Sequence, residues 1–138
     1  MTDYFFYGSL MDSDVLSAVA GERIEPSRLV PARLAGYVRL RRSNSAFPLL
    51  VEVPDESEIV EGVLVRGIGA AATRRLDRYE SDGYVLIRKP VPTATGRQMA
   101  NFYVPSRPGR ATGQPWDFET WRRRHKRRLL RALKSARE

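Results

Sequence analysis

The 138-residue chain has no cysteine and a single histidine, His125. Without Cys there is no disulfide framework, no thiol nucleophile, no thiolate zinc site and no iron–sulfur cluster. One His rules out His-rich metal centres and leaves a Ser-His-Asp triad dependent on that residue alone. His125 lies within Arg122-Arg123-Arg124-His125-Lys126-Arg127-Arg128, where neighbouring cations oppose an imidazolium. There is also no apolar run near the ~20 residues needed to cross a bilayer, and no G-x-x-x-x-G-K-[ST] phosphate loop. The N-terminus carries Asp3 where a secretory leader would be positive. These absences lead us to expect a soluble cytoplasmic protein with no metal and no cofactor. For acid–base chemistry they leave the carboxylates.

Charge is plentiful but uneven. Lys plus Arg is 24 against 16 Asp plus Glu, a net +8. Residues 116–138 hold nine of the cations, from Arg122 to Arg137, and only Asp117, Glu119 and Glu138 as acids, so about three quarters of the excess is terminal. At 42% hydrophobic the chain has enough apolar material for a core, and its length suits one domain. The expected organisation is a body over 1–115 with a basic amphipathic helix over 116–138 packed on it.

The order of elements follows from alternation and punctuation. Tyr4-Phe5-Phe6-Tyr7 reads as a buried strand closed by Gly8-Ser9. Asp12 or Ser13 caps a short helix through Val15, Leu16 and Val19 that stops at Gly21. Residues 22–31 read as a loop. Strands are expected over 32–40, 49–53, 59–65, 84–91 and 99–104, with a helix over 70–79. Residues 105–115 carry three Pro and two Gly and read as a loop or linker. About six strands and two or three flanking helices, without regular alternation, indicate an α+β domain built on a compact, barrel-like mixed sheet.

Three local patterns carry chemistry. Gly67-Ile68-Gly69-Ala70-Ala71-Ala72 matches the G-x-G-x-x-A dinucleotide fingerprint, but the next strand ends in Arg88-Lys89-Pro90 where an acid is required. It reads as an ordinary strand-to-helix turn. Glu80 closes a helix beside Tyr79 and Tyr84, where partial desolvation would raise its pKa; a plain surface Glu fits the same position. Tyr7-Gly8-Ser9-Leu10 runs from strand toward helix, a geometry that presents peptide N–H groups to an anion, or simply turns the chain.

Taken together and in order, these residues resemble the gamma-glutamylcyclotransferase-like family, which includes AIG2-like and gamma-glutamylamine cyclotransferase proteins. The carrying motifs are Tyr7-Gly8-Ser9-Leu10, Phe47-Pro48-Leu49 followed by Val60-Glu61-Gly62-Val63-Leu64, Leu76-Asp77-Arg78-Tyr79-Glu80 with Tyr84, and Phe102-Tyr103-Val104. The resemblance implies a small mixed barrel with one cavity at its mouth and release of 5-oxoproline from a gamma-glutamyl compound. It places the catalytic carboxylate at Glu80 and the substrate loop at Tyr7, Gly8, Ser9 and Leu10. One departure is Leu86, where many members carry Arg.

The reaction so implied is intramolecular acyl transfer. The substrate's α-amine attacks its own γ-carbonyl, so proximity supplies much of the rate. Glu80 would move the protons, the Gly8-Ser9-Leu10 peptide groups would hold the α-carboxylate or the oxyanion, and Tyr84 and Tyr103 would line the site. Two other readings stand beside it. One is a binding module that keeps the cavity without turnover. The other is nucleic-acid or acidic-partner binding through the Arg-rich terminus, against which stands a helix with Phe118, Trp121, His125, Leu129 and Ala132/Leu133 turned inward and a solvated cationic outer face.

Overall fold

Tyr4-Phe5-Phe6-Tyr7 is apolar at every position because both faces of its strand are buried. In the computed structural model, Tyr4 and Phe6 pack into one core and Phe5 and Tyr7 into another, the two-residue alternation of a strand with no wet face. The structure describes residues 1–43, 45–106 and 110–137.

The strands are β1 (Thr2–Phe6), β2 (Val30–Ala35), β3 (Tyr37–Arg42), β4 (Ser45–Glu52), β5 (Ile59–Ile68), β6 (Tyr84–Thr93), β7 (Gly96–Pro105) and β8 (Ala111–Pro115). The helices are α1 (Ser13–Ala20), α2 (Ala70–Glu80) and α3 (Phe118–Arg137). Five strands close a barrel in the order β1-β5-β2-β6-β7, and β4-β3-β8 form a second sheet. Closure comes from the parallel pairing of β1 with β7, Tyr4 opposite Asn101. All five barrel strands contribute to the core that holds Phe5, Leu34, Leu64, Val91 and Phe102, and the second sheet adds Tyr37 and Leu50 to it. The other core joins β1 and β5 to the helices through Leu16, Leu76 and Trp121.

Gly62 shows how tightly β5 lies on β1. A Cβ there would meet the Phe6 carbonyl oxygen at 2.3 Å and Phe5 Cζ at 2.6 Å, so the Phe5 ring occupies the space a side chain would need.

The α+β barrel expectation holds, with eight strands among the described residues where about six were expected. The run over 32–40 is two strands in different sheets, because the chain turns at Gly36 (φ +82°), a left-handed conformation that glycine adopts without strain. Part of the expected 22–31 loop is ordered: β2 starts at Val30, and Pro31 lies opposite Val63. The stretch 105–115 is not all loop, since β8 pairs antiparallel with β3; residues 107–109 lie outside the described residues. The glycine pattern at 67–72 is a turn, as expected. Strand β5 runs antiparallel to both its neighbours, so no βαβ unit exists there, and the Gly67 N–H donates to Asp3 Oδ1 at 2.9 Å.

Helix α3 packs on α1 with Trp121 2% exposed and Phe118, Leu129, Leu130 and Leu133 half-buried. Ala132, expected on the inner stripe, is exposed. Among the described residues no helix is long and apolar enough to cross a membrane.

Candidate active site

The loop after β1 is held from behind by a helix cap. Ser9–Met11 forms a single 3-10 turn, and Asp12 then caps α1 by accepting from the N–H groups of Asp14 (3.0 Å) and Val15 (3.1 Å). Ser9 and Leu10 are buried. Arg39, on β3, reaches the same loop and donates to the Tyr7 carbonyl at 2.9 Å and the Glu61 carbonyl at 2.8 Å, with its guanidinium over the Trp116 ring. It thereby ties the second sheet to the barrel beneath the loop.

A cavity of about 160 Å³ opens between this loop, the end of α2 and strands β6 and β7. Every residue singled out for the site lines it: Tyr7, Gly8, Ser9 and Leu10, together with Glu80, Tyr84 and Tyr103. Phe5, Phe6, Phe47, Pro48 and Tyr79 complete the wall, so the lining is largely aromatic and apolar.

Glu80 is the last residue of α2, whose inner face buries Ala72 and Leu76. Ser81 turns the chain out of the helix at φ +53°, the one non-glycine residue with positive φ among those described. Glu80 is half-buried, and burial raises its carboxyl from about 4.5 to about 7, because an apolar wall penalises the charged form. Burial likewise raises Tyr79 to about 12 and lifts Tyr7 and Tyr84 above the ordinary tyrosine value, with Glu80 adding to both.

The phenols form a connected frame. Tyr7 donates to the Tyr103 carbonyl, Tyr103 donates to Asp77 Oδ1 at 2.5 Å, and the hydroxyls of Ser9 and Tyr79 lie 3.1 Å apart. The site therefore offers one carboxyl that titrates near neutrality, a fixed set of hydroxyls and a loop of peptide groups. Among the described residues no three His, Asp or Glu side chains gather closely enough to hold a metal ion.

Sequence reasoning missed Arg39 and Asp77. Asp77 had a signal, lying three residues before Glu80 and so on the same helical face. Arg39 had none, because its partners come from distant strands. His125 is half-buried and lines a different cavity, between α3 and the second sheet. Leu86 is 44% exposed on β6, opposite Tyr103 in register.

The family model for gamma-glutamyl cyclotransferase, AIG2-like, matches residues 4–123. The chain belongs to this family. It is 27% identical to AIG2-like protein A of Arabidopsis thaliana over 138 residues, 97% of this chain and 80% of that protein. The solution structure of an Arabidopsis thaliana protein superposes with a TM-score of 0.69 at 24% identity, covering 98% of this chain and 89% of that one. A structure titled gamma-glutamyl cyclotransferase superposes at 0.62 and 17% identity, over 96% and 86%. These structural likenesses share the fold. In this chain the Tyr7-Gly8-Ser9-Leu10 loop and Glu80, the last residue of α2, line one cavity walled largely by aromatic rings.

Proposed function

We propose that this chain releases 5-oxoproline from a gamma-glutamyl amine or amino acid, with Glu80 as general acid/base. The observation that carries the reading is Glu80 sharing one aromatic cavity with Tyr7–Leu10, its carboxyl raised by burial to about 7. A base works best when its pKa lies near the operating pH. The reading is also supported by membership of a family named for this activity.

The chemistry demands little of the protein. Three carbons separate the substrate's α-amine from its own γ-carbonyl carbon, so attack closes a five-membered ring, and such arrangements reach effective molarities of up to ~10⁵–10⁸ M. Glu80 takes a proton from the α-ammonium, the freed amine adds to the γ-carbonyl, and the tetrahedral carbon expels the leaving amine as the C–N bond breaks. The proton held on Glu80 passes to that amine as it departs, and the ring nitrogen's second proton goes to the regenerated Glu80 carboxylate and from there to the released amine, which leaves as an ammonium. Peptide groups of Gly8, Ser9 and Leu10 bind the α-carboxylate or the developing oxyanion, and Tyr84 and Tyr103 shape the wall. At about 160 Å³ the cavity is below the ~300–1,000 Å³ of drug-sized sites; it takes one amino-acid-sized group and leaves the amine outside.

Assay of 5-oxoproline release over a panel of gamma-glutamyl amino acids and amines tests this. Turnover of at least one, lost by ~10²–10⁴-fold in Glu80→Gln, is expected. A Glu80→Gln variant that turns over at the wild-type rate refutes the assignment. Silence across the panel, with ligand-induced thermal stabilisation, points instead to a binding module.

A further inference from the structure

A second concavity of about 560 Å³ lies between the three-stranded sheet and the first half of α3. Arg41 and Arg42 enter it from β3, and Arg124, His125 and Trp121 from α3. Asp117 is the single acidic side chain among the described residues lining it, and its Oδ2 is already engaged by the Thr120 N–H (2.9 Å) and hydroxyl (2.8 Å) as the cap of α3. Among the described residues, Arg41, Arg42 and Arg124 make no ion pair.

Two donors in this lining are buried and have no hydrogen-bond partner among the described residues: Trp121 Nε1 and Arg42 Nε. Trp121 is 2% exposed. The other indole of the same cluster, Trp116, donates to the Ala46 carbonyl at 2.9 Å, so the geometry satisfies one tryptophan and leaves its neighbour's N–H buried without a partner among the described residues. Buried N–H groups are nearly always paired, and an orphan calls for an explanation. A guanidinium fork matches the oxygens of a carboxylate or phosphate, and an unpaired indole N–H in the same lining adds a further donor.

We propose that this groove is a binding site for a small oxyanion, a phosphate- or carboxylate-bearing molecule held by Arg42, Trp121 Nε1 and Arg124. Arg124, the Arg or Lys of the C-terminal helix that lines the groove, then serves a defined pocket with Arg41 and Arg42 rather than a long polyanion. The groove has its own lining apart from the Glu80 cavity, although the Arg42 charge also reaches Tyr7 and Tyr84 in that cavity, where it opposes the rise of both phenols. Groove and cavity adjoin across β4, with Ser45 and Ala46 lining the groove and Phe47 and Pro48 the cavity, and the groove's occupancy does not depend on turnover at Glu80.

The chain's two indole N–H signals make the test direct. In ¹H–¹⁵N spectra of the full chain, assigned with Trp116→Phe, inorganic phosphate and succinate are titrated separately at constant ionic strength. A saturable shift of the Trp121 indole signal, larger than that of Trp116, is expected with at least one of them, and the tighter anion identifies the source. Arg42→Ala and Arg124→Ala should each weaken binding by about tenfold; Arg124 is exposed, so its variant keeps the test valid should Arg42→Ala fail to fold. Shifts that chloride reproduces, or an affinity unchanged in both variants, overturn the proposal. So does salt-steep binding of a single-stranded oligonucleotide that survives both substitutions, which would move the role of these cations to the outer face of α3.

Discussion

The Tyr103 hydroxyl donates to Asp77 Oδ1, joining β7 to α2 three residues before Glu80. Tyr103 is itself held, since its carbonyl accepts from the Tyr7 hydroxyl. The loop, the strand and the helix that carry the candidate site are thus linked through one tyrosine. Burial, with the bond to Asp77 adding to it, holds the Tyr103 phenol far above its ordinary pKa, so it stays a donor at any working pH. Tyr103→Phe keeps the ring and removes the link. We expect about 0.5–1.5 kcal/mol of lost stability and a fall in kcat of several-fold with KM little changed, because Glu80 is less well placed rather than substrate less well bound. The pH midpoint of kcat/KM should shift in Tyr103→Phe if the link positions Glu80; an unmoved midpoint and rate would make it a purely structural contact.

Glu80 makes stability and activity respond to pH in opposite senses. Its carboxyl rises from about 4.5 to about 7 on folding. Between those values the folded state holds a proton that the unfolded chain has released, so this group's contribution is complete below about 4.5 and is lost as pH climbs through about 7. Glu80→Gln abolishes that loss. The variant should match wild type near pH 4.5 and exceed it at pH 8 by about 1–3 kcal/mol, read by denaturant unfolding at both pH values. Wild-type kcat/KM should instead rise with pH through a midpoint near 7 as the base ionises. Equal stability of the two proteins at pH 8 would show that the carboxylate is well solvated.

The parts of this fold that were legible beforehand are those that local chemistry decides. Asp12 and Gly21 bound α1 because a capping carboxylate and a left-handed glycine work within a few residues. Glu80 stood out because a helix end, two tyrosines and a strand start are adjacent in sequence. What stayed hidden depends on distant partners. Residues Ala111–Pro115 are exposed and rich in turn formers, yet their backbone pairs with β3, so ladder hydrogen bonds override composition. The alternation from 32 to 40 continues through Gly36 without a break, and only its backbone shows that two sheets meet there. Barrel closure rests on Tyr4 against Asn101, a pairing no local pattern announces.

Ser81 is strained next to the candidate base. Its φ of 53° and ψ of −154° fall in a region occupied almost solely by glycine, at a cost of about 1–3 kcal/mol. Ser81→Gly should relieve most of this, offset by about 0.5–1 kcal/mol of unfolded-state entropy, for a net gain of up to about 2 kcal/mol in thermal or denaturant unfolding. Ser81→Val should destabilise. If the conformation serves only to aim Glu80, Ser81→Gly retains turnover. A destabilised Ser81→Gly would mean that the serine side chain, and not the backbone, holds the turn.

The cations of α3 are unequal, and among the described residues Lys126 is the one whose ion pairs tie α3 to α1 and its cap. Its Nζ lies 2.9 Å from Asp12 Oδ2 and 2.8 Å from Asp14 Oδ2. Asp12 is 3% exposed and caps α1 through its other oxygen, so the lysine neutralises a buried charge that the cap alone leaves half satisfied. Lys126→Met keeps the aliphatic packing and strands that carboxylate. Breaking one side of such a pair costs more than its net contribution; with Lys126 only partly exposed we expect a loss of about 1–3 kcal/mol and a drop in Tm of several degrees. Neutralising Arg127, Arg128 or Arg131, all exposed, should leave Tm essentially unchanged. A double-mutant cycle with Asp12→Ala should give a coupling of at least about 1 kcal/mol. Equal effects of Lys126→Met and Arg128→Met would show that α3 is held by its apolar stripe alone.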